Sequence, residues 1–131
     1  MNFIGDIIIY TRPNSVMLNK LVTEGSPTPT LHGEEFFGFK TFKQWIDNRA
    51  MDIIHPDMLT SGGILETKKI ADYANMNGIP VMFHMAGSPI GAIASCYCVC
   101  LVDDFYAVPE KPGLGIEMND EVWKEHLTVP G

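Results

Sequence analysis

Residues 52–64 read DIIHPDMLTSGGI, and they carry the clearest signal of the fold in the sequence. The apolar run 51–54 has the length and composition of a buried strand, and it ends at a histidine, a proline and an aspartate. Gly62 and Gly63 then open a segment with helical periodicity. The stretch therefore predicts a strand that leads directly into a helix, which is the repeating unit of parallel β/α proteins.

The same alternation continues on both sides of this stretch. Four apolar runs of strand length recur about 25 residues apart, at 3–9, 28–33, 51–55 and 79–84. Helical patterns lie between and after them, at 15–25, 39–48, 62–78 and 88–100. We therefore predict an α/β fold, a partial (β/α)8 TIM barrel of about four parallel β/α units joined by right-handed crossovers.

Apolar residues at helical spacing mark the faces of these helices that are expected to pack on the sheet, and in the helix at 39–48 they are Phe42, Trp45 and Ile46. In the first helix the face comprises Val16, Leu18, Leu21 and Val22. In the helix after the double glycine it comprises Ile64, Leu65, Ile70, Ala71, Tyr73 and Ala74.

The length sets the expected domain organisation. A complete (β/α)8 barrel needs roughly 250 residues, whereas the chain has 131. We predict a single domain, residues 1–131, with the β/α units in 1–100 and a C-terminal tail in 101–131. The tail is rich in proline and glycine, and a short terminal helix is predicted at 119–127. We expect the chain to be a fragment of a barrel.

The charge balance excludes two classes of partner. Nine Lys and Arg face sixteen Asp and Glu, which gives a net charge of -7. Nucleic-acid phosphates and anionic lipid surfaces should repel such a protein. No apolar run approaches the ~18 residues of a membrane span, and the short run 7–10 lacks the flanks of a signal peptide. We predict no nucleic-acid partner and no membrane association.

Three cysteines, Cys96, Cys98 and Cys100, follow one another at intervals of two. An odd number in so tight a group does not suit a disulfide framework, so we expect a cytoplasmic protein. The group suits either a metal site or small residues packed within a helix. The spacing lacks the C-x-x-C pattern of zinc sites, and in a helix Cys98 would point away from the other two. We therefore favour packing.

Ionisable residues follow three successive predicted strands. Glu34, Asp57 and His84 each stand where a strand ends. Each residue alone is more often a helix cap or a solvated loop residue. Together they suggest a site, because parallel strands lie about 5 Å apart and their carboxyl ends meet at one edge of the sheet. Asp57 could orient His84 as a general base, and Glu34 is a hard oxygen ligand suited to Mg²⁺.

Four segments, in order along the chain, resemble motifs of the mandelate racemase and muconate lactonizing enzyme group of the enolase superfamily. They are Leu31–Glu34, Asp52–Asp57 with Ser61–Ile64, Phe83–Gly87, and Pro112–Glu117. The resemblance is strongest to the sugar-acid dehydratases of that group. It implies Mg²⁺-dependent removal of the proton next to a substrate carboxylate, with Glu34 as the last metal ligand and Asp57 with His84 as the catalytic dyad.

The chain also departs from the group's pattern. Gly5 stands where the group carries a metal-binding glutamate, which leaves Asp6 as a makeshift ligand. The resemblance places the first metal ligand, an alternative lysine base and a capping domain before Met1. It also places an eighth strand in the gap between Cys100 and Asp103. We therefore expect Mg²⁺ binding to be weak or absent.

These departures leave two hypotheses about activity. The first is a truncated relative of the Mg²⁺-dependent dehydratases that is inactive alone. The alternative is an active Mg²⁺-dependent lyase or racemase, completed by oligomerisation or by a partner chain, that acts on a sugar-acid carboxylate. We also predict a homo-oligomer, because a partial barrel exposes strand edges and an apolar inner face.

Overall fold

A computed structural model describes residues 15–100 and 111–115, together with residues 117, 119 and 121. The predicted first strand at 3–9, the candidate ligand Asp6 and most of the predicted tail, including most of the helix at 119–127, lie outside the described residues. None of the helices in the described part is both long enough and apolar enough to cross a membrane.

Helices and short strands alternate along residues 15–100. The elements in order are α1 (Val16–Gly25), β1 (Leu31–His32), α2 (Gly38–Asp47), β2 (Ile53–Ile54), α3 (Met58–Ser61), α4 (Ile64–Met76) and α5 (Pro89–Cys100). The helices predicted at 15–25, 39–48 and 88–100 are confirmed to within a residue. Helix α1 begins after Ser15, whose hydroxyl accepts a hydrogen bond from the Leu18 amide at 3.3 Å, as an N-cap residue should.

The predicted helix at 62–78 is wrong at its start. Gly62 and Gly63 have φ angles of +118° and +88°, a region that favours glycine, so they form a turn instead of the first helical residues. That turn separates α4 from the four-residue helix α3, which the sequence did not predict. Helix α3 is too short to show helical periodicity, and its start depends on capping by Asp57.

The strands form a small parallel sheet. β1 pairs with β2, with Leu31 opposite Ile53 and His32 opposite Ile54. The segment predicted as a strand at 79–84 lies beside β2 through two isolated parallel bridges, Ile54 with Val81 and Asp57 with His84. Pro56 has no N–H to donate, which interrupts the ladder between these bridges. The parallel arrangement is confirmed for these three segments, and the number of barrel units stays a prediction.

A large hydrophobic cluster, hereafter the larger cluster, packs α2 and α4 against the sheet. Its buried members are Phe36, Phe42, Trp45, Ile46, Ala50, Met51, Ile54, Ile70, Ala74 and Ile79. The aromatic rings meet at centroid distances of 4.6 Å for Phe36 with Trp45 and 5.4 Å for Phe36 with Phe42. Such tilted and edge-on contacts are the favoured geometry for aromatic pairs.

The expected buried faces of two helices need correction. Leu65 is 82% exposed, and Leu18 and Leu21 are 54% and 64% exposed. In α4 the buried stripe consists of Thr67, Ile70, Ala71 and Ala74, at the spacing i, i+3, i+4, i+7. Leu65 lies two residues before that stripe, which at about 100° per residue places it on the opposite side of the helix. In α1 the buried face centres on Asn19, so Leu18 and Leu21 point outward.

A second cluster, hereafter the smaller cluster, holds α5. Its buried members are Met58, Ala94 and Cys98. The Cys98 sulfur lies 3.8 Å from the Met58 sulfur and 3.7 Å from the Ile64 carbonyl oxygen. Burial disfavours the charged thiolate and raises the pKa of Cys98 to about 11. The packing hypothesis for Cys98 is confirmed, while Cys96 is only half-buried and both are free thiols.

Candidate active site

Glu34 enters the site from the turn that follows β1. Gly33, with a φ of +134°, makes this turn possible. A Cβ atom at Gly33 would lie 2.7 Å from Cε1 of Phe42, so the backbone approaches the larger cluster too closely for any other residue. The Glu34 carbonyl accepts a hydrogen bond from the Thr60 hydroxyl at 2.5 Å, which ties the turn to α3. The carboxylate itself is 42% exposed.

Asp57 joins the end of β2 to the start of α3 and uses both oxygens of its carboxylate. Oδ1 accepts a hydrogen bond from the Leu59 amide at 2.7 Å and so caps α3. Oδ2 lies 2.8 Å from Nδ1 of His84. The side chain is only 6% exposed, and these two bonds satisfy it. The structure therefore confirms Asp57 as a helix cap and places it in contact with His84, while its catalytic role stays a prediction.

His84 lies between two carboxylates. Its backbone N–H donates to the Pro56 carbonyl at 3.0 Å, which fixes the ring beside Asp57. Because an ionised carboxylate can only accept, Nδ1 carries a proton toward Asp57. The other ring nitrogen, Nε2, is 3.0 Å from Oε2 of Glu34. The structure thus brings Glu34, Asp57 and His84 together, as expected from the strand ends, and their roles stay predictions.

His55 belongs to the same group, although it was not singled out in the sequence. Its Nδ1 lies 2.6 Å from the Met82 carbonyl oxygen, and its ring meets the His84 ring nearly edge-on at 4.9 Å. A signal was available: side chains alternate along an extended chain, so residues 55 and 57 share a face. The alternation that brings Asp57 to the site therefore brings His55 there as well.

His32 lies next to the site but faces the core. Its ring contacts Trp45 at a centroid distance of 5.7 Å. Burial is the main effect and lowers the pKa of His32, while the negative charge of Glu34 opposes that shift. A neutral, packed histidine on β1 is therefore a structural residue.

The family resemblance implies a Mg²⁺ ion, but the described residues alone do not form a site that suits it. That ion prefers oxygen ligands in a near-octahedral array. The group whose ligand atoms lie within 4.8 Å of one another consists of Glu34, His55 and His84, which offers one carboxylate and two imidazoles. Asp6, the other predicted ligand, lies outside the described residues.

Parallel β/α units with ionisable side chains gathered at the carboxyl ends of the strands are typical of α/β proteins that bind ligands at that edge of the sheet. The model of the family described as "Enolase C-terminal domain-like" matches residues 11–105. That match covers most of the chain, and the chain belongs to this family.

Relatives in this family include sugar-acid dehydratases. The chain is 31% identical to a D-xylonate dehydratase of Haloferax volcanii over 88% of its own length and 34% of that protein. It is 32% identical to a D-galactonate dehydratase family member of Pantoea ananatis, over 82% of the chain and 33% of the relative. The chain therefore spans about a third of the length of the curated relatives that it matches.

Solved structures agree with this assignment. A putative dehydratase from Salmonella enterica serovar Typhimurium superposes with a TM-score of 0.79 at 27% identity, over 86% of this chain and 35% of that one. A mandelate racemase/muconate lactonizing enzyme-like protein from Rubrobacter xylanophilus gives 0.78 at 27% identity, over 88% and 37%. The predicted family is confirmed, and so is the α/β fold of the superfamily.

Proposed function

We propose that this chain carries the acid–base part of a sugar-acid dehydratase site, with His84 as the proton-transfer residue and Asp57 as its orienting partner. The observation that carries the proposal is the hydrogen bond between Asp57 Oδ2 and His84 Nδ1 at 2.8 Å, at the end of two paired parallel segments. The dehydratases among the relatives support the choice of substrate class.

The proposed step is a proton transfer at carbon. In the neutral ring, with no proton shared with Glu34 Oε2 at 3.0 Å, Nε2 of His84 takes the proton from the carbon next to the substrate carboxylate, and the C–H electron pair moves into the carboxylate to form an enolate. Asp57 accepts the Nδ1 hydrogen bond throughout, so it holds the tautomer and stabilises the imidazolium that forms. The hydroxyl on the neighbouring carbon then leaves as water with the proton that the His84 imidazolium returns, and the resulting enol rearranges to a 2-keto acid.

We further propose that the 131-residue chain does not complete the elimination alone. An enolate needs positive charge beside it, and such charge stabilisation is usually the largest catalytic contribution. The donor set of Glu34, His55 and His84 supplies one carboxylate for a hard cation. Mg²⁺ binding through Glu34 and Asp6 is therefore expected to be weak.

The test separates proton transfer from elimination. The chain is incubated in D2O with millimolar Mg²⁺ and D-xylonate, galactonate, gluconate or mannonate. Proton NMR follows loss of the signal at carbon 2, and a keto-acid assay follows dehydration. We expect slow exchange of the carbon-2 hydrogen for deuterium, at least tenfold faster than with the His84→Asn variant. We expect no more keto acid than that variant forms. The matched control is His32→Asn, because His32 lies on β1 but faces Trp45.

Two results would contradict these proposals separately. If the wild-type chain exchanges the carbon-2 hydrogen of every substrate no faster than the His84→Asn variant does, the proposed acid–base role of His84 is wrong. Turnover near 1 s⁻¹, within the ordinary range for enzymes, that vanishes in His84→Asn would refute inactivity. The second result would support the alternative of a lyase completed by association.

We also propose that the chain self-associates. Leu18, Leu21 and Met17 form an exposed apolar face on α1, and exposed patches of this kind often mark interaction surfaces. Light scattering at micromolar concentration should give a mass above that of one 14.5 kDa chain. Leu18→Lys with Leu21→Lys should shift the mass toward the monomer, whereas Leu65→Lys on α4 serves as the exposed-leucine control. A monomeric wild type would refute this proposal.

A further inference from the structure

Three potential metal ligands meet at the carboxyl ends of the strands. Glu34, His55 and His84 each offer one ligand atom, and these atoms all lie within 4.8 Å of one another. The three residues come from the turn after β1, from the residue after β2 and from the segment that bridges to β2. All three are partly exposed, so an ion could reach them from solvent.

The hydrogen bonds made by Nδ1 of the two imidazoles are of the kind that metal-binding histidines make. Nδ1 of His55 lies 2.6 Å from the Met82 carbonyl oxygen, which can only accept, so this nitrogen carries the proton. Nδ1 of His84 is held in the same way by Asp57 at 2.8 Å. In the neutral form each ring therefore keeps a lone pair on Nε2. Histidines that bind metals usually donate their other N–H to a carbonyl or carboxylate in this manner.

The spacing of His84 and Glu34 also fits a shared cation. Nε2 of His84 and Oε2 of Glu34 are 3.0 Å apart. With neutral His84, two lone-pair atoms face each other and repel, and either a proton or a metal ion between them removes that repulsion. Ligands about 2.0–2.2 Å from a tetrahedral zinc ion lie roughly 3.3–3.6 Å from each other. A small movement of either side chain is enough to admit the ion.

We propose that Glu34, His55 and His84 form a site for a divalent transition-metal ion of the zinc class, with a fourth position open to water. Two imidazoles and one carboxylate suit such ions, whereas Mg²⁺ prefers oxygen ligands. The net charge of -7 adds a general attraction for cations. The site differs from the Mg²⁺ site that the resemblance implies, because it uses imidazoles and shares only Glu34 with it.

This site has a regulatory consequence, which rests on the function proposed above. The metal would take the Nε2 lone pair of His84, and that lone pair is the one that accepts the substrate proton. The same nitrogen cannot do both. Zinc binding should therefore stop proton transfer while leaving the fold intact.

The first test is metal binding without substrate. The chain is freed of metal with a chelator and titrated calorimetrically with ZnCl2. We expect one ion per chain at this site, and at least tenfold weaker binding for His55→Asn, His84→Asn and Glu34→Gln. The matched control is His32→Asn, which removes a histidine on β1 outside the group and should bind as the wild type does. Far-UV circular dichroism of each variant checks that it folds.

The second test identifies the ligands directly in the wild-type chain. A long-range proton–nitrogen NMR spectrum reports which nitrogen of each ring carries the proton. Zinc should shift Nε2 of His55 and His84 and leave the His32 ring unmoved. This measurement does not depend on any variant folding, and it separates the site from binding at the cysteine thiols.

The outcomes also separate this inference from the proposed function. Unmoved His55 and His84 ring signals, or His55→Asn binding as tightly as wild type, would overturn the metal site. If the signals move and zinc lowers the His84-dependent exchange rate at least tenfold, both proposals are supported. If the signals move but no His84-dependent exchange exists without zinc, the metal site is upheld and the proposed function fails.

Discussion

The larger cluster under α2 and α4 is aromatic and extensive, whereas the smaller cluster that holds α5 has three buried residues. Apolar burial contributes roughly 25 cal/mol per Å² removed from water, so the larger cluster supplies most of the stability of the described part. The candidate site lies where the two regions meet. Gly33, beside Glu34, touches Phe42, while Met58, beside Asp57, belongs to the smaller cluster.

The two clusters hold different parts of the same site, and they are packed to different extents. The turn that carries Glu34 is built on the firmly packed side of the molecule. Asp57 is followed at once by a residue of the smaller cluster, in a region with fewer buried contacts, and such regions open locally at lower free-energy cost. Substitutions in the two clusters should therefore lower the free energy of unfolding by different amounts, and four measurements test that contrast.

The largest effect should come from Phe42→Ala. The Phe42 side chain is fully buried in the larger cluster. Truncating a buried phenylalanine typically lowers the free energy of unfolding by about 3–5 kcal/mol, since both burial and packing are lost. This loss is measured by urea denaturation, with circular dichroism as the signal for unfolding. Phe37→Ala is the control, because Phe37 is 75% exposed and should change stability by less than about 0.5 kcal/mol.

A smaller loss, of about 2–4 kcal/mol, is expected for Gly33→Ala. The added Cβ would meet Phe42 at 2.7 Å and the His55 amide nitrogen at 3.2 Å, at a φ that other residues rarely adopt. Overpacking and backbone strain each contribute about 1–3 kcal/mol. Gly25→Ala is the matched control: nothing lies within 4 Å of its Cβ, so it should be neutral or slightly stabilising. Equal urea midpoints for the two variants would contradict the close approach.

In the smaller cluster, Cys98→Ala should cost only about 1 kcal/mol. The variant removes one buried sulfur atom, similar in size to a methylene group, from contact with Met58. Cys96→Ala, at a half-buried position two residues earlier, should lie within about 0.5 kcal/mol of the wild type. The same denaturation curves give both values. A loss for Cys98→Ala as large as that for Phe42→Ala would mean that the contrast between the clusters is wrong.

The smallest effect concerns thiol reactivity, not stability. The thiolate is the reactive form of a cysteine. Because burial raises the pKa of Cys98 to about 11, roughly one molecule in a thousand carries the Cys98 thiolate at pH 8. Iodoacetamide should label Cys98 slowly at pH 8 and faster as the pH rises toward 11. Peptide mass spectrometry reads each position, and the urea-unfolded chain provides the fast reference. Labelling of Cys98 in the native chain at that reference rate would show that α5 is not held as described.

Apolar spacing predicted the positions of the helices and parallel segments, but it did not predict the buried face of α1, where Leu18 and Leu21 point outward. The three parallel segments and the helices at 15–25, 39–48 and 88–100 follow from apolar spacing and from caps such as Ser15. The failures have physical causes. Leu65 is apolar but lies off the stripe of α4, and helix α3 is a single turn that exists because Asp57 caps it.

The site could be predicted in part. Glu34, Asp57 and His84 converge because parallel strands end at one edge, which is a rule of topology. The rule gives position but not orientation, so it could not reveal that His84 lies between two carboxylates. Nor could it reveal that the Met82 carbonyl holds the ring of His55. Both contacts depend on side-chain rotation that a one-dimensional pattern does not encode.

The pairing of Asp57 with His84 in the backbone has a further consequence. Their side chains meet because the two main chains run in register, with the His84 amide bonded to the Pro56 carbonyl. The residues that connect them, including the whole of α4, do not set that distance. Exposed parts of the connecting segment can therefore lengthen, shorten or change sequence without moving the dyad, whereas Ile70 and Ala74 of α4 are constrained by their packing in the larger cluster. An insertion of one residue within 79–84 would instead turn every following side chain to the other face and separate the pair.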